Sequence, residues 1–409
     1  MTTTTAETPK KAARVNLRRP DIMEAVHAQV EQHYRSLIIE RLRERGNILT
    51  AGGLKVRLAK EFGFCYGVER AIDLAYAARK VFPDQPIYIL GEIIHNPAVN
   101  DQIRVMGVKF LSGQYKEASI DDLKEGDVVI IPAFGSEVET MKKLEAKGCQ
   151  LVDTTCGDVM SVWKRVRQYA TDTVTSIIHG KAWHEETMAT SSRARGNGGG
   201  KYLVVYDLAE TDYVCNAIRH GVNKQEFLEK FKGAMSPDFD PDRDLAAIGV
   251  ANQTTMLRGE TEDVQRRLKQ AMIDRYGQEQ IDQHFRFFDT ICGATQERQD
   301  ALTHLLKEPL DLMIVVGGYN SSNTSHLAEM SEQRVPTFFI KDAGKILSDT
   351  TIEHYNLKRK EEIRTESWLP GGDVYIGVTA GASCPNNLID ETIRRLFALR
   401  GISVDDLLK

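Results

Sequence analysis

Long hydrophobic runs are missing from this chain of 409 residues. No apolar stretch reaches the roughly 20 residues that a membrane helix requires, and the N-terminus lacks the apolar core of a secretory signal. A protein without a membrane span is therefore expected. Positive charge is not in excess either: the formal net charge of −5 leaves no electrostatic footprint for nucleic acid. Cysteines number six, too few for a disulfide scaffold in a chain of this size, so a reducing compartment is expected. They lie too far apart for a zinc finger or ribbon and lack the compact spacing of a ferredoxin. No Gly-x-Gly-x-x-Gly opens a strand–helix unit, so neither a nicotinamide nor a flavin is indicated. The glycine-rich run Arg195 to Lys201 lacks the spacing and the terminal Lys-Ser/Thr of a phosphate P-loop, and His179 with His184 does not make a His-Glu-x-x-His zinc motif.

What the chain does contain is a recurring unit. Asp289-Thr290-Ile291-Cys292-Gly293 has a near copy in Asp153-Thr154-Thr155-Cys156-Gly157. Each follows a short strand-like run, Phe285 to Phe288 or Gln150 to Val152, and each leads into a helical pattern. A looser relative, Phe62-Gly63-Phe64-Cys65-Tyr66-Gly67, precedes the helical run Val68 to Lys80. A cysteine at a helix N-terminus sits at the positive end of the helix dipole, which favours thiolate. Thiolate is the ligand form for soft metals and iron–sulfur clusters. Cys149, Cys215 and Cys384 lack this full context and read as ordinary small buried residues.

Between the cysteines, strand-like and helical runs alternate, which argues for an α/β protein with parallel sheets. The expected division is an N-terminal extension with one helix (1–53), three α/β units (54–153, 154–289 and 290–384) and a C-terminal helix (385–409). The extension begins as a basic, tail-like segment to about Arg19, followed by one helix from about Asp21 to Arg45. That helix could pack on the body or on a second subunit, which leaves a homodimer open. Lys55 to Leu58 reads as the first strand of the first unit. Lys224 to Asp244, polar and interrupted by Pro237 and Pro241, reads as a surface insertion.

Three constellations carry chemistry. Three cysteines, each ending a strand of its own α/β unit, can meet around one cluster. A cubane has four irons, so three thiolates leave one iron open to a substrate oxygen. His184 and Glu186 follow the strand Ser176 to His179. They read either as a solvated pair or as a proton-donor site, since a carboxyl held protonated by burial can deliver a proton at neutral pH. Ser321, Ser322 and Asn323 in one loop and Ser383 in another precede helices, as plain caps do. Two such loops in one unit also suit a phosphate or diphosphate.

Assembled, these residues resemble the 4-hydroxy-3-methylbut-2-enyl diphosphate reductase family over about Val56 to Leu396. The marks are Gly63-Phe64-Cys65-x-Gly67-Val68-x-Arg70, Ile94-His95-Asn96, Asp153-x-Thr155-Cys156, His184-x-Glu186, Gln253-Thr254-Thr255, Asp289-x-Ile291-Cys292, Asn320-Ser321-Ser322-Asn323 and Gly377 to Ser383. The resemblance implies three pseudo-symmetric, trefoil-like α/β units around one central [4Fe–4S] cluster, with an N-terminal helical extension. It implies Cys65, Cys156 and Cys292 as cluster ligands, Glu186 as proton donor and Thr254 as its polar companion at the substrate hydroxyl. His95, His184, Ser321, Ser322, Asn323 and Ser383 become substrate ligands, mostly at the diphosphate. The implied reaction is reductive dehydroxylation to isopentenyl and dimethylallyl diphosphate. An iron–sulfur hydro-lyase and a non-catalytic cluster protein, either sensor or carrier, are the rival readings. One departure stands out: Phe134, in Pro132-Ala133-Phe134-Gly135, occupies the place where many bacterial members carry a histidine. That loop, the N-terminal extension and the insertion are similar to the cyanobacterial and plant-plastid branch. This implies a ferredoxin or similar low-potential electron donor, and a cytoplasmic enzyme, or a stromal one if the source is eukaryotic.

Overall fold

The computed structural model describes residues 17–196, 199–288 and 290–407. Most of the expected basic tail, two residues of the glycine-rich run and Asp289 of the Cys292 motif lie outside the described residues.

Three sheets organise the chain. The first has the strand order Val108–Phe110, Ile87–Ile89, Val128–Ile131, Gln150–Asp153, and the second Phe285–Phe287, Ile248–Asn252, Thr175–His179, Tyr202–Val205; both are parallel throughout. The third runs Ile48–Ala51, Leu54–Leu58, Val374–Ala380, Leu312–Val316, Thr337–Ile340, parallel except for its first pair. Central strands such as Val-Val-Ile-Ile at 128–131 and Leu-Met-Ile-Val-Val at 312–316 are buried along their whole length. Continuous apolar runs of this kind belong to parallel strands covered by helices on both faces. A separate antiparallel hairpin, Thr351–Asn356 with Glu361–Glu366, flanks the third sheet.

The expected unit boundaries shift in two places. Leu54–Leu58 does not open the first unit. It pairs in parallel with Val374–Ala380, Leu54 opposite Val374 and Leu58 opposite Val378, and so lies inside the third sheet. The C-terminal helix, Asn386–Ala398, is not a separate element either: Leu388, Ile389, Ile393, Leu396 and Phe397 share one core with Val56 and Ile376 of that sheet. Local alternation shows that a strand exists, but its partner is chosen by long-range burial.

The described residues of the N-terminal extension form two helices, Pro20–Tyr34 and Leu37–Glu44, where one was expected. The break is at Ser36, whose hydroxyl accepts the Ile39 N–H at 3.2 Å and donates to Asp390 at 2.8 Å. A serine so placed starts a new helix more favourably than it continues an old one. Both helices pack on the body: Val26 and Val30 join the core around the Cys65 helix, and Ile39 and Leu42 join that of the C-terminal helix. The expected surface insertion is anchored as well. Phe227, Phe231 and Phe239 are buried in the core of the second sheet, with Phe227 and Phe239 stacked 5.9 Å apart.

In all three sheets the loops that follow the strands converge. Ala133 and Cys156 from the first, His184 and Thr254 from the second, and Ser321 and Ser383 from the third line a common cavity of about 700 Å³. Ligands sit at this end of open parallel sheets because helix N-termini and free backbone N–H groups collect there.

Candidate active site

Cys65, Cys156 and Cys292 each occupy the N-cap of a helix: Tyr66–Val81, Gly157–Thr171 and Gly293–Leu305. Each backbone N–H is tied to a loop of the cavity wall. Cys65 donates to the Ala382 carbonyl, Cys156 to Ala133 and Cys292 to Thr254, at 3.2, 2.8 and 3.2 Å. Gly67 lies where the sulfurs approach: a Cβ there would stand 2.7 Å from the Cys156 sulfur and 3.9 Å from that of Cys65. No other residue leaves that space. The Cys292 sulfur accepts the Thr295 N–H at 3.3 Å and lies 2.9 Å from the Thr295 hydroxyl.

Two arginines lock the cysteine loops to one another. Arg70, on the Cys65 helix, donates to the carbonyls of Thr154 and Thr155, just before Cys156. Arg298, buried on the Cys292 helix, donates to the carbonyls of Gly63 and Phe64, just before Cys65. Charge-assisted bonds of this kind fix backbone position more firmly than neutral ones.

Two of the thiols, those of Cys156 and Cys292, are not held ionised by their helices alone. Burial pushes Cys156 up and Cys292 to about 12, outweighing the hydrogen bonds that act in the other direction. Sulfurs at three helix N-termini, in a hollow kept open by a missing Cβ, fit a cationic metal centre that would pay this desolvation cost by binding thiolate directly. Cys149, Cys215 and Cys384 lie instead in three separate apolar cores, as expected.

Glu186 sits in the first turn of the Glu185–Ala194 helix and is 3% exposed. Its Oε1 accepts the Thr254 N–H at 2.6 Å. Burial pushes its carboxyl up to about 7, against the hydrogen bonds from Thr254. It is therefore partly protonated at neutral pH. His184 caps the same helix, and its Nδ1 accepts the Glu186 N–H at 3.1 Å. Burial pushes His184 well below its ordinary value, so it is neutral, and the bond at Nδ1 places its one proton on Nε2. Glu185 turns the other way, half-exposed at the rim, with a carboxylate oxygen 3.8 Å from His95 Nε2.

Ser321 caps the Ser322–Glu332 helix, where its oxygen accepts the Thr324 N–H. The Asn323 side-chain Oδ1 accepts the Ala382 N–H at 2.9 Å, and Ser383 donates to the His95 backbone carbonyl at 3.2 Å. These bonds clamp the two serine loops and the His95 loop together. The buried Asn323 Nδ2 and His95 Nε2 are left without a hydrogen-bond partner among the described residues. Donors and caps of this kind around a cavity suit an anion.

Phe134 lies against these groups. Its ring is stacked on His95, with centroids 4.8 Å apart and planes 7° from parallel, and meets His184 edge-on. The next residue has to be glycine: Gly135 has φ +82°, and a Cβ there would stand 2.3 Å from the Trp163 ring.

The cavity thus gathers every residue singled out in the sequence: the three cysteines, Glu186, Thr254, His95, His184, Ser321, Ser322, Asn323 and Ser383. Sequence reasoning assigned nothing to Glu92, Arg70 and Arg298. Arg70 and Arg298 stand one turn into the cysteine helices, and Glu92 three residues before His95, where a side chain can return to the loop. Those spacings were the available signals.

The family described as LytB protein matches residues 56–397. A protein of Cyanothece sp. named 4-hydroxy-3-methylbut-2-enyl diphosphate reductase is 49% identical over 375 residues, covering 90% of this chain and 90% of that protein. One of the same name from Gloeobacter violaceus is 48% identical, covering 92% and 90%. A solved structure of (E)-4-hydroxy-3-methyl-but-2-enyl diphosphate reductase, described as the terminal enzyme of the non-mevalonate pathway, has a TM-score of 0.50 at 27% identity over 84% of this chain and 99% of its own. The Plasmodium falciparum E-1-hydroxy-2-methyl-but-2-enyl-4-diphosphate reductase structure, at 22% identity, shares the fold with a TM-score of 0.60, covering 83% and 86%.

Proposed function

The chain belongs to the LytB protein family, and on that premise we propose that it is a reductase acting on 4-hydroxy-3-methylbut-2-enyl diphosphate. The allylic C–O bond breaks, the oxygen leaves as water, and two electrons and two protons enter to give isopentenyl or dimethylallyl diphosphate.

The observation that carries this reading is one cavity holding three convergent helix-capping thiols, a buried carboxyl with a pKa of about 7, and a rim of anion-suited caps. Cys65, Cys156 and Cys292 would hold one [4Fe–4S] cluster. When bound, it supplies the electrons and an iron without a protein thiolate, whose Lewis acidity weakens the C–O bond.

The chain's own residues do the rest. Ser321, Ser322, Asn323 and Ser383, with His95 and His184, bind the diphosphate and so fix the position of the other end of a five-carbon substrate. The neutral His184 can donate only from Nε2, since its Nδ1 accepts the Glu186 N–H. Glu186 in its acid form protonates the departing hydroxyl, and Thr254, whose N–H aims that carboxyl, keeps it in place. Phe134 covers one face of His95 and keeps water from it.

Electrons would come from a ferredoxin or similar low-potential carrier, as the likeness to the cyanobacterial branch implies. Among the described residues no helix is long and apolar enough to cross a membrane. A cytoplasmic enzyme of the cyanobacterial type accords with the relatives named above.

Anaerobic purification followed by iron and sulfide analysis and Mössbauer spectroscopy tests the reading. Four irons per chain are expected, one of them changing its spectrum when the diphosphate substrate is added. A fully ligated cluster, indifferent to substrate, would favour the electron-carrier alternative.

A further inference from the structure

The group behind His95 is a second buried carboxylate. Glu92 Oε2 lies 2.9 Å from His95 Nδ1 and accepts from Asn320 Nδ2 at 2.6 Å, while Oε1 accepts from Gln114 Nε2 at 2.7 Å. Glu92 is 9% exposed. Burial would raise its carboxyl, but the bonds from His95, Gln114 and Asn320 outweigh that and hold it below the ordinary range. It is an ionised, acceptor-only group.

The acceptor-only carboxylate, at 2.9 Å closer to His95 Nδ1 than the Asn320 amide nitrogen at 3.3 Å, keeps a proton there. His95 lines the cavity, and its buried Nε2 makes no protein hydrogen bond among the described residues. If Nε2 is also to donate to an anion, the ring must be an imidazolium, and Glu92 is the charge that balances it. Asn320 joins this arrangement to the Ser321–Asn323 loop, so one carboxylate ties the histidine to the anion-suited caps.

Other charged or titratable groups face His95. Glu185 stands 3.8 Å from Nε2 at the half-exposed rim, His184 lies edge-on at 5.0 Å between centroids, and the buried Glu186 acts at longer range. Phe134 covers one ring face and carries no charge. Of the carboxylates, only Glu92 combines burial with a direct bond to the ring.

We propose that Glu92 is a positioning residue for diphosphate binding: it holds His95 with Nδ1 protonated and makes Nε2 a cationic donor to the bound diphosphate. This rests on the diphosphate reading of the cavity, and the test separates the two.

The probe is inorganic pyrophosphate, titrated into the anaerobic, cluster-loaded protein across pH 6 to 9, for wild type and Glu92→Gln. Glutamine keeps the volume and, with the Gln114 amide turned over, can keep the hydrogen bonds; only the charge is lost. Losing an opposite charge at this distance costs the charged form of its partner about tenfold. The wild-type-to-variant affinity ratio, in which the ligand's own titration cancels, should therefore rise from near unity at the acid end to about tenfold at the alkaline end. A merely structural role for Glu92 gives a ratio that does not change with pH, and that result overturns the inference.

Nitrogen-15 spectra of the His95 ring in wild-type protein provide a reading that needs no variant. The free protein should carry a proton on Nδ1, and the pyrophosphate complex should carry protons on both nitrogens. A free-protein ring protonated at Nε2 alone refutes the Glu92 arrangement. Absence of any pyrophosphate binding to wild type refutes the diphosphate reading instead, and the free-protein spectrum still decides the Nδ1 proton.

Discussion

Glutamine at position 186 separates the acid from everything else the residue does. Glu186 is buried, and its Oε1 accepts the Thr254 N–H at 2.6 Å, a bond that the glutamine carbonyl can keep. Only the ionisable proton is lost. The Glu186→Gln protein should therefore assemble its cluster and bind pyrophosphate as wild type does. Reductant-driven turnover should fall by about a hundredfold or more, the scale of a positioned general acid. A second consequence follows from linkage. The carboxyl is raised from 4.5 to about 7 by burial, so its ionised form is disfavoured in the folded protein. The sign is fixed: the penalty is absent well below the unfolded value, grows as pH rises between the two values, and is constant above 7. At 1.36 kcal/mol per decade the full penalty is about 3 kcal/mol. Glu186→Gln should thus be more stable than wild type by about 3 kcal/mol at pH 8 and only about 1 kcal/mol at pH 5. Anaerobic denaturant titrations at the two pH values, together with turnover assays, measure both effects. Glu185→Gln, at the exposed rim, is the control and should keep most of its activity. Near-normal turnover in Glu186→Gln, or a stability difference that does not grow with pH, would refute the assignment of a buried acid at this position.

Serine at Cys65, Cys156 or Cys292 should strip iron from the purified protein, whereas serine at Cys149, Cys215 or Cys384 should leave the iron content near wild type; metal analysis reads both sets. Gly67→Ala should behave like the first set, because its Cβ would stand 2.7 Å from the Cys156 sulfur. The double variant Ser321→Ala with Asn323→Ala should keep its resting cluster spectrum and weaken pyrophosphate binding about a hundredfold or more, since each lost bond to a charged group is worth about 1.5–3 kcal/mol; calorimetry checks it, and wild-type affinity would move the anion site elsewhere.

The legibility of this chain in its sequence was uneven, for physical reasons. The cysteine units could be read because strand, cap and helix are local patterns within about fifteen residues, the range over which periodicity and capping operate. The pairing of Leu54–Leu58 with Val374–Ala380 could not, because partner choice across that separation depends on which apolar faces remain to be covered. The break at Ser36 carried a local cap signal that the apolar periodicity on either side obscured. In the segment from Lys224 to Asp244 the polar residues dominated, yet Phe227 and Phe231 at helical spacing, with Phe239, are what hold it down. In the site, the cysteine units stood out by residue type and spacing, but His184 and Glu186 read also as a solvated pair, and the role of Glu186 was implied by the family resemblance alone. Glu92 lies in a quoted loop, but its role needs Asn320 and Gln114 from elsewhere in the chain. The Phe134 departure was visible; that its ring stacks on His95 was not.

The central claim is that this cavity couples electron delivery to loss of an allylic hydroxyl. Its most direct measurement is product analysis of the anaerobic, cluster-loaded protein given 4-hydroxy-3-methylbut-2-enyl diphosphate, with and without a reduced low-potential one-electron donor. The account predicts isopentenyl and dimethylallyl diphosphate only with the donor, two electrons consumed per product, and none from Cys292→Ser. Consumption of the substrate without a donor, or loss of the hydroxyl with no electrons taken up, would contradict it.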